Sequence, residues 1–218
     1  MDIKSKLFEE LTLFCNKNLD SKKCFVCVCG SYASDNFTKD SDLDLLFAVK
    51  KYDVTEFKKI HDFVVNLHLS NDLKIDEEVP YETKLVITYE DIENAVDLEP
   101  FVKKSSGYII NPITYNKEFL ASQELRLRII LNALTTPNIY IYGDKKKYVD
   151  FIQRADKAII RLARGLTSER NPSEDEILRV LLNGKHGEEG QAHLGYKKDR
   201  NKVIEHLKSI IAHNINIQ

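Results

Sequence analysis

Asp42 and Asp44 stand two positions apart in the run Asp42-Leu43-Asp44-Leu45, which opens onto the apolar residues Leu46, Phe47, Ala48 and Val49. In extended chain, side chains two apart leave on the same face, so these carboxylates project together while Leu43 and Leu45 face the other way. Like charges held that close resist joint ionisation, and partial burial makes this worse, unless a cation lies between them. The chemistry such a pair invites is divalent-metal binding. Upstream, the apolar run Phe25 to Cys29 ends at Gly30-Ser31, and ten residues separate Ser31 from Asp42. A further carboxylate, Asp76, stands in Leu73 to Val79, a run that reads as a strand until Pro80 ends it. Alternation puts Ile75 and Glu77 on the face opposite Asp76.

The elements that must hold these residues follow from periodicity. Residues 2–18 carry Ile3, Leu7, Leu11 and Phe14 at helical spacing, which predicts an amphipathic helix packed on a sheet. Phe25 to Cys29 is short, rich in Val and Cys and closed by glycine, so it reads as a buried strand with Gly30-Ser31 as the turn. A second helical stripe takes Val54, Phe57, Ile60, His61, Val64, Leu67 and His68, and both histidines read as hydrogen-bonded core residues. Lys84 to Tyr89 reads as a strand, Glu90 to Val96 as a short helix, and Pro100 to Thr114, with Ser105 to Gly107 inside it, as a loop. Helical pattern resumes from Glu118 to Leu134, and Asn138 to Tyr142 reads as a short strand closed by Gly143-Asp144.

The last third is helical. From Tyr148 to Leu166 the apolar set is Val149, Ile152, Ala155, Ile159, Ala163 and Leu166, and Arg154, Lys157, Arg161 and Arg164 recur along the same helix. That basic stripe reads equally as a solvated face or as a rail for phosphates. Ser173-x-x-Glu176 resembles a capping box for a helix through Leu182. Four glycines, Gly184, Gly187, Gly190 and Gly195, mark an irregular loop; Gly184-Lys185 lacks the rest of a P-loop, and His186 and His193 read as surface residues. A final amphipathic helix carries Val203, Leu207, Ile210 and Ile211. The fold class is therefore α+β: a small mixed sheet with flanking helices over residues 1–115, then a mainly helical domain over residues 116–218.

Composition narrows the function. The chain has 218 residues, with 32 basic against 34 acidic ones and a formal charge of -2, so it offers no general attraction for nucleic acid or an anionic membrane. No apolar run is long enough to span a bilayer, and the segment MDIKSKLFEE has no signal-peptide core, which predicts a cytoplasmic protein. Cys15, Cys24, Cys27 and Cys29 read as reduced core thiols rather than a zinc set, because no second ligand pair accompanies Cys24-x-x-Cys27.

Gly30-Ser31, the ten-residue spacer, Asp42-x-Asp44 and a later strand Asp together resemble the nucleotidyltransferase superfamily typified by DNA polymerase beta, over roughly residues 20–90. The resemblance implies catalytic, metal-binding roles for Asp42, Asp44 and Asp76, with two Mg2+ ions and an NTP, ATP first, as co-substrate. It makes Gly30 the point where backbone approaches the triphosphate and gives the Ser31 hydroxyl and N–H to a phosphate oxygen. Arg154, Lys157 and Arg161 are the candidate triphosphate partners; Asp76 is the first candidate base, with Glu78, Glu82 and Asp144 beside it. A mixed domain followed by a helical one looks like the antibiotic-modifying branch, which implies transfer of an NMP to a hydroxyl of a small molecule. Two alternatives stay open: a protein or RNA acceptor, as in toxin-antitoxin pairs, and a nucleotide-binding domain without turnover. A homodimer is an assembly the chain allows.

Overall fold

A computed structural model describes residues 2–75, 85–97, 130–165, 167, 171–182 and 201–214. By its contacts the chain divides into two compact units, the first Met1–Asp91 with Asn138–Asp150, the second Ile92–Pro137 with Phe151–Gln218. The first unit thus takes back a segment from well beyond residue 115.

The first unit is built on a four-stranded sheet of order β3-β2-β1-β4, from β1 (Cys24–Val28), β2 (Leu45–Val49), β3 (Val86–Thr88) and β4 (Ile139–Gly143). β1 runs antiparallel to both β2 and β4, while β2 and β3 are parallel. The two central strands are buried at every position, which explains why their sequences are unbroken apolar runs instead of alternating ones. On one face Cys24, Val26 and Val28 lie beside Val49, Phe47 and Leu45. That face joins Leu7, Leu11 and Cys15 of α1 (Ile3–Asn18) and Ile60, Val64 and Leu67 of α3 (Val54–Ser70) in one core. On the other face Phe25 stacks on Tyr89 and meets Tyr148 edge to face.

Local chemistry starts the helices where the sequence places them. Asp2 accepts from the Ser5 N–H to cap α1, and Asp53 accepts from the Glu56 N–H at 2.8 Å to cap α3. The predicted stripes overshoot at the leading ends: Val54 is 71% exposed and Ile3 lies at the surface, each being the first residue of its helix. Between β1 and β2, Gly30-Ser31 opens not a bare turn but a four-residue helix, α2 (Gly30–Ala33). The strand expected over Leu73 to Val79 is not formed at residues 73–75, and its remainder, with Asp76, Glu78 and Glu82, lies outside the described residues. So do the loop at Ser105 to Gly107, and His186 and His193.

In the second unit Ile92, Ala95 and Val96, from the latter part of α4 (Tyr89–Val96), are buried, and residues 130–135 are helical. α5 (Lys145–Gly165) buries Phe151, Ala155, Ala158, Ile159, Ile160, Leu162 and Ala163. α6 (Glu174–Leu182) begins with the reciprocal box foreseen in the sequence: Glu176 N–H donates to Ser173 Oγ at 3.3 Å, and Ser173 N–H to Glu176 Oε2 at 3.1 Å. α6 packs on α7 (Asn201–Asn214), in which Val203, Leu207, Ile210 and Ile211 are buried. A mixed sheet with flanking helices, followed by helices, is the α+β architecture the sequence predicts. Among the described residues, no helix is long and apolar enough to cross a membrane.

Candidate active site

The acidic pair lies in the extended lead-in to β2, not in the strand itself, which begins only at Leu45. The alternation read from the sequence survives that correction: Leu43 and Leu45 are buried, whereas Asp42 and Asp44 are half-exposed. The lead-in is held against β1, because Cys29 N–H donates to the Asp44 carbonyl at 2.9 Å. The end of β1 and the acidic segment are therefore one junction.

Gly30 is the other half of it. Its φ is +66°, in the left-handed region that side chains avoid, and a Cβ built there would meet Asp44 Oδ2 at 2.1 Å. The Asp44 carboxylate occupies the space that a side chain at residue 30 would take. That packing explains a glycine before the serine and the acidic residue across from it as a single requirement. Ser31, largely buried, follows as the second residue of α2, and its carbonyl accepts from Asn36 N–H at 2.9 Å.

The spacer between them is anchored rather than loose. Buried Tyr32 stacks on Phe37 with ring centroids 4.4 Å apart, Thr38 N–H donates to Ser41 Oγ at 2.9 Å, and Asp35 pairs with Lys4 of α1. Behind the pair, Leu43 N–H donates to His68 Nε2 at 3.2 Å. The histidine is core, as the sequence indicates, but its Nε2 is directed at the backbone between the two acidic residues.

Electrostatics report the same negative centre. Hydrogen bonding with Cys27, then burial, then the charges of Cys27 and Asp44 hold the Cys29 thiol well above its ordinary value. Burial and then the Asp42 charge raise the Tyr32 phenol. Both groups stay protonated at neutral pH, so neither supplies a thiolate or phenolate to the chemistry. What remains is carboxylate oxygen, the donor type that suits a hard divalent cation. Among the described residues no cluster of three or more His, Cys, Asp or Glu is arranged to hold a metal.

The predicted cations fall in the second unit, where Arg154 and Arg161 have local partners. Arg154 Nη2 donates to Glu93 Oε2, and Arg161 Nη2 donates to the Val96 carbonyl at 3.0 Å, so both reach toward α4, while Lys157 is exposed. Asp144, a candidate base, caps α5: its Oδ1 accepts from Lys147 N–H at 2.9 Å. The sequence signal for that cap was the Gly-Asp pair just ahead of a helical period.

Residues 11–109 match the family model described as nucleotidyltransferase domain. Neither the curated proteins nor the solved structures yield a match.

Proposed function

Residues 11–109 are a nucleotidyltransferase domain, a domain type that moves nucleoside monophosphates, and from that premise we propose that this chain transfers AMP from ATP to a hydroxyl of a small molecule. The observation that carries the reading is the junction of Gly30 with Asp44, where a left-handed glycine makes room for a carboxylate beside the end of β1. In this reading Asp42, Asp44 and Asp76 hold two Mg2+ ions, and bound Mg2+ supplies charge neutralisation at the α-phosphate and at the pyrophosphate leaving group. Asp42 and Asp44 would hold that charge beside the triphosphate, and Asp76 would accept the proton of the attacking hydroxyl. Ser31 donates its hydroxyl to a phosphate oxygen, and Gly30 lets backbone approach it.

Arg154, Lys157 and Arg161 remain the candidate triphosphate partners; to serve so, Arg154 and Arg161 would have to leave Glu93 and the Val96 carbonyl. The slight acidic balance of the chain, 34 acidic against 32 basic residues, and the further candidate carboxylates would suit a cationic acceptor, such as an aminoglycoside antibiotic. ATP labelled at the α-phosphate, Mg2+ and a panel of acceptors that includes aminoglycosides, protein and RNA test the proposal. The expected result is label on a small molecule with release of pyrophosphate, and loss of several kcal/mol of catalysis, at least about 100-fold, in Asp44→Asn. Parent-level turnover by Asp44→Asn would sink the site assignment, and label found only on protein or RNA would replace the acceptor class.

A further inference from the structure

His68 is 1% exposed and sits in the last turn of α3, under the segment that carries the acidic pair. Both ring nitrogens are engaged, in opposite senses. Leu43 N–H donates to Nε2 at 3.2 Å, so Nε2 is bare; Nδ1 lies 2.8 Å from the Val64 carbonyl, which can only accept, so Nδ1 carries the proton. The ring is a neutral imidazole in one tautomer, aimed by α3 at one backbone amide. Its own carbonyl accepts from Asn71 N–H at 3.2 Å and Leu73 N–H at 2.9 Å, which closes α3 and fixes the residue that bears the ring.

The amide it serves is that of Leu43, the residue between Asp42 and Asp44. The sheet ladder does not reach this amide, because β2 pairs with β1 only from Leu45 onward. A buried N–H without an acceptor would turn the lead-in to find one, and because side chains alternate along extended chain, that rotation would carry both carboxylates with it. We propose that His68 is a positioning residue for the acidic pair, its imidazole Nε2 holding the Leu43 amide so that Asp42 and Asp44 leave the chain toward one cation site. The proposal rests on the reading of these carboxylates as metal ligands. It assigns His68 no contact with substrate or metal; it acts through the backbone, as outer partners of metal ligands do.

Two polar replacements separate this from plain packing. In His68→Gln the longer amide places an acceptor oxygen near the position of Nε2, whereas in His68→Asn the amide ends near Nδ1 and can satisfy Val64 but not reach Leu43. Mn2+ is titrated into the full chain with a non-hydrolysable ATP analogue, and free Mn2+ is read by electron paramagnetic resonance. The expected result is a 10- to 100-fold loss of Mn2+ affinity in His68→Asn, the range found when outer partners of metal ligands are removed. His68→Gln should recover most of it. Equal affinities in the two variants, whether both high or both low, overturn the proposal. Asp44→Asn measured alongside keeps the two claims apart: if it binds Mn2+ like the parent, the metal reading itself has failed; if it loses binding while His68→Asn does not, only the role of His68 has.

Discussion

At the scale of single residues, Gly30 is an exacting position, because two independent demands meet there. The left-handed φ costs a side-chain-bearing residue about 1–3 kcal/mol, and the Cβ would arrive inside the Asp44 carboxylate. Gly30→Ala should therefore lower stability by about that amount while cutting nucleotidyl transfer about 100-fold, since an error of about 1 Å in a reacting geometry is worth that much. Denaturant unfolding and the α-label assay on one preparation test whether the catalytic loss exceeds the loss of folded protein. The motif at this site was legible in the sequence because Gly-Ser, a fixed spacer and Asp-x-Asp are local patterns. The contacts that make it work were not: a helical stripe shows that His68 is buried, but not that its Nε2 meets the Leu43 amide. Likewise the period of Arg154 and Arg161 is visible in the chain, whereas Glu93 and the Val96 carbonyl are not.

At the scale of elements, β1 is the strand on which the site depends, and it is held from both sides. Its β2 partner carries the acidic lead-in, and its β4 partner comes from beyond residue 130. β4 is locked at its end by Gly143, whose φ is +99° and whose missing Cβ would lie 2.1 Å from the Cys24 carbonyl. Asp144 N–H then donates to that same carbonyl at 2.8 Å and its side chain begins α5. Gly143→Ala would put a methyl group into the β1 backbone, so we expect at least about 1–3 kcal/mol of destabilisation, read as a lower midpoint in urea. Strands β1 and β2 were legible from their apolar runs, and α1, α3, α5, α6 and α7 from their periods, α6 also from its capping box. The pairing of β4 was not, because alternation in Asn138 to Tyr142 marks a strand without naming the partner that fills its hydrogen bonds. The acidic lead-in read as strand for a related reason: its residues alternate as a strand does while lacking ladder partners.

At the scale of the whole molecule, stability should depend on pH through a carboxyl of the helical unit that takes no part in the proposed chemistry. Asp156 on α5 has a buried Oδ1 with no hydrogen-bond partner among the described residues. Burial raises its pKa from 3.8 to about 7, opposed in part by His213. The folded state thus holds a proton that the unfolded chain releases. Stability contributed by that proton is fully present below about pH 4, falls as pH rises to about 7 and is level beyond. The span is worth up to about 4 kcal/mol. Asp156→Asn, neutral throughout, should raise the melting temperature at pH 8 more than at pH 5; an equal change at both would place the proton elsewhere.

The late return of β4 also shapes how the first unit comes into being. β1 pairs Phe25 with Gly143 across a long intervening stretch of chain, so closing the sheet carries the entropy of a large loop and belongs to the slow events of folding. Until that closure β1 has an open, wholly apolar edge, which invites pairing with another chain. A growing polypeptide cannot finish the sheet behind Gly30 and Asp44 before residues 139–143 have been made. Chain growth therefore sets the order: the strand that supports the site is complete only after much of the second unit's sequence has already emerged.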